Sequence, residues 1–326
     1  MDLKKLLALP LVAAVACGGG AFKDQARDAM PSKESISMGS PSASAQQAQS
    51  TSSGTDATAQ NSQEGEQSPF FKLTVAVAVV FNVPTAVFLD LLTHVVEDNE
   101  PTSCDATSCT WGPGSGALEL VNYKLVVSKD ADGESFDWQL SGAVKPGNDF
   151  VTFATGVAKP GPQRHHGSGS FTLDFDKAAQ LGIAGASTGQ MNVTNYSNVG
   201  PAQLAVTFTG ANDTDHPGQK NNILYSYAND NAGGGDLDFA VHNTTSGDRF
   251  SVHSRWKNDG RGRSDVAGLG SGYNVSLSEC WGAAPFAVTY FSSNIKTVIA
   301  PWGGPDSGAE SQCAYSPAAF SSKSAP

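Results

Sequence analysis

Alternating runs of large apolar and polar or small residues recur along most of the chain beyond residue 135. Each run has the two-residue period of a β-strand with one buried and one wet face. The apolar positions are Phe136, Trp138 and Leu140; Val151, Phe153 and Val157; Phe171, Leu173 and Phe175; Leu204, Val206 and Phe208; and Tyr273, Val275 and Leu277. Clusters of Gly, Pro, Asn and Asp separate the runs, which favours hairpins over helical crossovers. The pattern predicts about ten antiparallel strands.

An apolar stretch opens the folded region at Phe70. Large residues occupy the odd positions of 71–83 and mostly small ones the even positions, which predicts a strand, although the same residues could form an apolar helix. Pro84 suits the first turn of a helix that follows over residues 84–98. Apolar residues recur there at i, i+3, i+4 and i+7, giving an amphipathic helix with one apolar stripe. The stripe consists of Phe88, Leu91, Leu92 and Val95.

These elements together predict an all-β fold over residues 70–326. A long antiparallel sheet exposes its edges unless it closes or folds over. We therefore expect a single antiparallel β-barrel or a strongly curved half-barrel, with the N-terminal amphipathic helix packed into its mouth or concavity. A two-sheet sandwich is the alternative, and about 250 residues suffice for one core of either kind.

The chain begins with the features of an export signal. Lys4 and Lys5 precede an apolar run over residues 6–16, which is too short to cross a bilayer, since crossing needs about 20 apolar residues. The residues Ala14-Val15-Ala16-Cys17 resemble the lipobox of bacterial lipoproteins, although Ala14 stands where Leu is usual. This resemblance covers residues 1 to about 20. It implies a signal peptide over residues 1–16, lipid attachment such as palmitate at Cys17, and anchoring in the cell envelope. Gly18 in place of Asp favours the outer membrane.

A polar segment separates Cys17 from the predicted domain. It is rich in Ser, Ala, Gln and Thr and contains no large apolar residue between Pro41 and Pro69. Such a segment buries too little surface to offset its ordering entropy. We interpret residues 17–69 as a lipidated Cys followed by a disordered linker.

Charge and cysteine content narrow the function classes. The net charge of −11 argues against nucleic acid as a partner. Four cysteines remain beside Cys17, namely Cys104, Cys109, Cys280 and Cys313, and an even number in an exported chain predicts disulfides. Of the three possible pairings we favour Cys104–Cys109 and Cys280–Cys313. His partners at zinc-like spacing are missing, so we predict no metal and no cofactor.

One hairpin can be registered from the sequence. Residues 236–243 and 249–257 flank the turn Thr244-Thr245-Ser246-Gly247, and matching their apolar faces pairs Val241 with Phe250 and Phe239 with Val252. The same register places Asp236 opposite Arg255, Asp238 opposite His253, and His242 opposite Arg249. These six residues form a candidate face for a polar or anionic ligand; a solvent-facing salt-bridge ladder is the alternative.

Other polar clusters carry weaker signals. The residues Asp130-Ala131-Asp132-Gly133-Glu134 resemble half a calcium loop, but a hairpin turn explains them better. Arg164-His165-His166 reads as a surface loop. The cations Arg249, Arg255, Lys257, Arg261 and Arg263 crowd into one stretch, where nearby acids balance them.

No catalytic motif is present in the sequence, so we predict a protein that is not an enzyme. The first hypothesis is a lipid-anchored envelope surface protein acting as an interaction or adhesion module, with another envelope protein or a glycan as partner. A second is binding of a lipid-like apolar ligand between sheet and helix. A hydrolase using Asp238 and His253 is the third.

Overall fold

The computed structural model describes residues 19–41, 64–115, 119–183, 187–299 and 301–326. The predicted signal peptide, Cys17 and residues 42–63 of the predicted linker lie outside these ranges.

Three helices and fifteen strands make up the described residues. The helices are α1 (Gly19–Ala29), α2 (Pro69–Glu97) and α3 (Phe175–Gln180). The strands are β1 (Ser103–Cys104), β2 (Ser108–Gly114), β3 (Val121–Lys129), β4 (Phe136–Val144), β5 (Val151–Pro160), β6 (Gly167–Asp174), β7 (Gln190–Ser197), β8 (Gln203–Asn212), β9 (Lys220–Asn229), β10 (Gly235–Asn243), β11 (Arg249–Trp256), β12 (Gly262–Gly270), β13 (Tyr273–Trp281), β14 (Val288–Ser293) and β15 (Ser307–Gly308). One turn of 3-10 helix follows at Glu310–Gln312.

The strands form one continuous antiparallel sheet in which each strand pairs with its neighbours in sequence. The all-β prediction is confirmed, while the strand number is higher than predicted. Strands β1 and β15 stand at the two edges of the ladder and do not pair in the described part of the chain, so the sheet is not closed into a barrel. The ladder has no break between β1 and β15, which leaves no division into the two sheets of a sandwich.

The strand predicted over residues 71–83 is wrong, because this stretch is the first half of α2. Ser68 caps the helix through its side chain, which accepts a hydrogen bond from the Phe71 amide, and Pro69 occupies the first turn. Pro84 lies inside the helix, not at its start. It is exposed, as is Val80 one turn earlier, so water can reach the carbonyl that loses its hydrogen bond.

Helix α2 lies across the inner face of the sheet, which we define as the face that contacts it. Near its start, Phe71 packs edge-on against Trp281 of β13, with ring centroids 6.0 Å apart. Seventeen residues later, Phe88 stacks on Phe171 of β6 at 5.7 Å. The helix rises about 26 Å between these contacts, whereas seven strand spacings span about 34 Å. The helix therefore reaches from β13 to β6 across the inner face.

The length and composition of α2 would also allow it to cross a membrane. In the structure, 44% of its most apolar window is buried inside the protein. The remaining side of the helix exposes Val80, Val83 and Val87.

The predicted linker is folded over residues 19–41. In α1 and the segment after it, Phe22, Met30, Ile36 and Met38 are all buried. The Met38 amide donates a hydrogen bond to Asn82 Oδ1 of α2, and Asn82 Nδ2 donates one to the Met38 carbonyl, both at 2.9 Å. These apolar residues precede the polar Ser/Ala/Gln stretch, and they gave the segment enough surface to pack.

Two disulfides join the four described cysteines in the favoured pairing. Cys104–Cys109 closes the hairpin between β1 and β2. Cys280–Cys313 links β13 to the chain after the 3-10 turn. The second disulfide fixes the start of the C-terminal segment on the sheet.

Candidate functional site

The polar hairpin face predicted from the sequence is present in the predicted register. Strands β10 and β11 pair Asp236 with Arg255, Asp238 with His253 and His242 with Arg249. Their apolar partners, Phe239 with Val252 and Val241 with Phe250, point to the inner face. The six candidate residues therefore lie on the opposite side of the sheet, which we call the outer face.

Strand β12 extends this face with two residues that were not among the predicted site residues. Arg263 lies opposite Arg255, and Asp265 lies opposite His253. Both follow from the same alternation, because β12 pairs with β11 without a bulge. Their charge was visible in the sequence, but their burial was not.

A buried ionic cluster is built around Asp265. Its Oδ1 accepts hydrogen bonds from Arg263 Nε at 2.7 Å and from Ser278 Oγ at 2.6 Å, and its Oδ2 accepts one from Arg255 Nη2 at 3.0 Å. Arg263 also reaches Glu310 at 2.7 Å through Nη1. The side chains of Arg263 and Asp265 are fully buried. Paired charges are the form in which buried ionic groups are tolerated.

What covers this cluster is the C-terminal segment. We call residues 313–326 the strap. From the disulfide at Cys313 it runs across the outer face toward β9 and β10, where Pro326 meets Asn222 and His242. Nothing in the sequence pattern of these Ser-, Ala- and Pro-rich residues predicted that they would dock.

Six side chains of the sheet hydrogen-bond the strap through its main chain. Arg263 Nη1 donates to the Tyr315 carbonyl at 3.1 Å, and Asp265 Oδ2 accepts from the Ala319 amide at 2.9 Å. The four others donate to main-chain oxygens of the strap: His253 to Ala319 (2.6 Å), Arg249 to Ala325 (3.5 Å), and His242 (2.7 Å) and Asn222 (2.9 Å) to Pro326. Three of the six predicted face residues, His242, Arg249 and His253, thus bind polypeptide backbone.

Two side chains of the strap add their own contacts. Lys323 Nζ lies 3.0 Å from Asp238 Oδ2. The Tyr315 hydroxyl donates to the Trp256 carbonyl at 3.0 Å, and the Arg255 guanidinium lies over the Tyr315 ring at 5.1 Å. Burial raises the pKa of Tyr315.

Asp236 and His253 form the remaining charged pair of the face. His253 Nε2 lies 3.0 Å from Asp236 Oδ1, so its carboxylate partner is Asp236 on the diagonal and not Asp238 directly opposite. Burial raises the pKa of Asp236, but the hydrogen bond and charge of His253 outweigh it and hold that pKa below its usual range. Asp236 is therefore ionised at neutral pH.

Two cavities flank the strap on the outer face. One of about 280 Å³ lies beside its end, between Arg249, Leu269, Lys323 and Ala325. The other, of about 340 Å³, lies nearer its start and is lined by Arg263, Tyr290, Glu310 and Phe320 among others. Small-ligand sites have volumes of about 300–1,000 Å³, so the larger cavity lies within this range and the smaller one lies just below it.

The other polar clusters noted in the sequence make local contacts. Asp132 accepts hydrogen bonds from the amides of Glu134 and Ser135, as in a hairpin turn. Arg164 pairs with Asp28 of α1 and Glu97 of α2. In the ranges that the structure describes, no group of three or more His, Cys, Asp or Glu residues is arranged to hold a metal ion.

Comparison with protein families, with curated proteins and with solved structures found no match for this chain. The function must therefore be argued from the geometry of the outer face.

Proposed function

We propose that this protein is a lipid-anchored, non-enzymatic interaction module of the cell envelope, which holds an extended polypeptide against its outer face. The observation that carries the proposal is the set of six side-chain hydrogen bonds to the strap main chain. Contacts to main-chain groups do not depend on the side chains of the bound segment. A face that holds one extended segment in this way can hold another.

The strap leaves part of the face unsatisfied, which supports its being replaceable. Among the described residues, Arg263 Nη2 and Arg255 Nε are buried beneath it without a hydrogen-bond partner. A buried donor without an acceptor costs about 1–3 kcal/mol. A partner that offered an acceptor, such as a carboxylate, at these two arginines would gain what the strap lacks.

The placement in the envelope rests on the N-terminal sequence and the disulfides. Cys17 resembles a lipoprotein lipidation site, and two disulfides suit an oxidising compartment. Because α1 begins at Gly19, a lipid on Cys17 would hold the folded body close to the outer membrane instead of at the end of a long linker.

The contacts favour this proposal over the two alternatives. Asp238 pairs with Lys323 of the strap, and His253 pairs with Asp236, so neither is arranged as the acid–base pair of a hydrolase. On the inner face, α2 packs its aromatic side chains against the strands, where a lipid-like ligand would have to lie. The cavities of about 280 and 340 Å³ both open on the outer face.

The decisive experiment is to remove the strap and supply it again as a peptide. A chain ending at Cys313 keeps the disulfide but lacks residues 314–326. We expect it to bind a synthetic 314–326 peptide in isothermal titration, and we expect the full chain to bind far less because its own strap occupies the face. Replacing Arg249 and His242 by Ala in the truncated chain should weaken binding. The matched control, Lys159→Ala, removes an exposed cation paired with Glu134 on a distant part of the sheet and should change nothing.

The proposal would be overturned if the truncated chain kept its native circular dichroism and the Cys280–Cys313 bond but did not bind the peptide at millimolar concentration. Anchoring is tested separately. A Cys17→Ser variant should move from the membrane pellet to the soluble fraction on cell fractionation, and unchanged pelleting would refute lipid attachment.

A further inference from the structure

His253 lies between two hydrogen-bond acceptors. Its Nδ1 lies 2.6 Å from the Ala319 carbonyl of the strap, and its Nε2 lies 3.0 Å from the Asp236 carboxylate. Neither oxygen can donate. Both ring nitrogens must therefore carry a proton, which makes His253 an imidazolium when the strap is in place.

Loss of one proton breaks this arrangement on the strap side. A hydrogen bond to a carboxylate is stronger than one to a neutral carbonyl, so the remaining proton belongs on Nε2, facing Asp236. Nδ1 then presents a lone pair to the Ala319 carbonyl oxygen at a distance where two acceptors repel each other. The strap loses its contact with β11 midway along its length.

We infer that the strap is a proton-controlled cover: protonated His253 holds its middle on the outer face, and deprotonation releases that middle part. The disulfide at Cys313 and the contacts of Pro326 keep the two ends of the strap in place. Opening would uncover Asp238, Asp265 and Arg263, which lie beneath it. The inference rests on the proposed function only for what this uncovering achieves, because strap movement can be measured without any partner.

The charged groups around His253 support this assignment. It faces Asp236 and Asp238 on β10, Asp265 on β12 and Lys323 on the strap, with Arg255 on its own strand. Burial lowers the pKa of His253, but the hydrogen bonds to Asp236 and Ala319 and the charges of Asp236 and Asp238 outweigh it and leave the pKa raised. Among these residue types only an imidazole ordinarily titrates between about pH 6 and 9.

The sign of the pH dependence follows from this raised pKa. Stabilisation of the closed strap by His253 is fully present below about pH 6.5, the ordinary His value, and is lost as the pH rises through the higher value in the folded protein. The depressed pKa of Asp236 adds a second limit. Its contribution is lost only when the pH falls below about 4.

His242 provides a matched control on the same face. Its Nδ1 donates to the Pro326 main-chain oxygen at 2.7 Å, and its Nε2 lies 3.3 Å from Arg249 Nη2, which can only donate. A neutral ring satisfies both contacts, so His242 holds the strap without needing a second proton.

The test is amide hydrogen exchange of the oxidised full chain, read as the protection factor of the Ala319 amide, which is bonded to Asp265. We expect that factor to fall roughly two- to tenfold from about pH 6 to about pH 9, the effect of losing one hydrogen bond. In His253→Gln it should be low and independent of pH. In His242→Gln the pH dependence should persist.

A flat protection factor in the parent chain, or an unchanged pH dependence in His253→Gln, would overturn the inference. If His253→Gln fails to fold, nitrogen chemical shifts of His253 in the parent decide instead. They should show both nitrogens protonated at about pH 6 and only Nε2 protonated at high pH. A neutral ring protonated on Nδ1 would refute the mechanism.

Discussion

Arg263 and Asp265 form a fully buried ion pair on the outer face of β12, with Arg263 Nε donating to Asp265 Oδ1 at 2.7 Å. They are two residues apart on one strand, so their side chains emerge on the same side. On an open sheet this side would face water. The strap hydrogen-bonds to both residues, through Tyr315 and Ala319, and so buries side chains that would otherwise face solvent.

Breaking this pair should cost far more than breaking an exposed one. Arg263→Met leaves the Asp265 carboxylate buried with one partner fewer, and we expect a loss of about 3–5 kcal/mol in urea unfolding of the oxidised protein. Asp265→Asn should cost less in the Arg263→Met background than in the parent chain, because Arg263 is no longer present to be left buried without its carboxylate partner. Strictly additive losses would show that the two side chains do not interact.

The exposed pair of Lys296 and Asp306 supplies the control for this cycle. Its side chains are 57% and 56% exposed, and their Nζ and Oδ1 atoms are 2.6 Å apart. Lys296→Met should cost no more than about 1 kcal/mol.

The two disulfides should differ in their effects on stability and on the strap. Cys280 and Cys313 are 33 residues apart in sequence, against 5 for Cys104 and Cys109. Chain entropy alone predicts a loss of about 4 kcal/mol when Cys280 and Cys313 are replaced by Ala, and of about 2 kcal/mol for Cys104 and Cys109. Hydrogen exchange should also rise in residues 314–326 only when the Cys280–Cys313 disulfide is removed. Equal exchange in both variants would mean that the disulfide does not secure the strap.

The start of α2 depends on a buried contact with the sheet. Ser68 Oγ accepts from the Phe71 amide at 2.8 Å and donates to Oε1 of Glu279, which is fully buried on β13. Ser68→Ala removes both the helix cap and a hydrogen bond to a buried acid. We expect a loss of about 2–4 kcal/mol in urea unfolding.

A second helix cap, which has no buried acid beside it among the described residues, separates the effect of losing the cap from the effect of losing the hydrogen bond to Glu279. Asp174 caps the short helix α3 by accepting from the Lys177 amide at 3.0 Å. Asp174→Ala should cost only about 1 kcal/mol, the usual effect of losing a cap. Losses of similar size in the two variants would argue against a contribution from Glu279.

The sequence predicted those features that alternation controls. The β10–β11 register followed from matching apolar faces, because a slip of one residue would have turned Phe239 and Val241 toward the outer face. The disulfides followed from an even cysteine count and short spacings. The same local reasoning anticipated hairpin connections throughout the sheet.

The sequence did not predict the features that depend on packing between distant parts of the chain. The strap carries no periodic apolar pattern, and its contacts are main-chain groups that any sequence possesses. Arg263 and Asp265 looked like ordinary surface charges because Glu310 and the strap, which cover them, lie far along the chain. Residues 19–41 lie next to a polar stretch, and the packing of Phe22 against Phe136 joins segments far apart in the chain.

The misassigned stretch 71–83 yields the sharpest mutational test of the fold. Phe81 and Val83 are two residues apart, so on a strand they would share a face, whereas on a helix they point in nearly opposite directions. In α2, Phe81 is 1% exposed and packs against Tyr225, while Val83 is 59% exposed. Phe81→Ala should therefore cost about 3–5 kcal/mol in urea unfolding. Val83→Ala should change stability by less than about 0.5 kcal/mol, because no core contact is lost and Ala favours the helix.

A true strand pair with the same spacing completes the comparison. Leu125 and Val127 on β3 are both fully buried on one face. Replacing either by Ala should be costly, by about 2–5 kcal/mol for Leu125 and somewhat less for the smaller Val127. If Phe81→Ala and Val83→Ala were instead both costly, as expected for Leu125 and Val127, then residues 71–83 would be a strand and the helix across the inner face would be wrong.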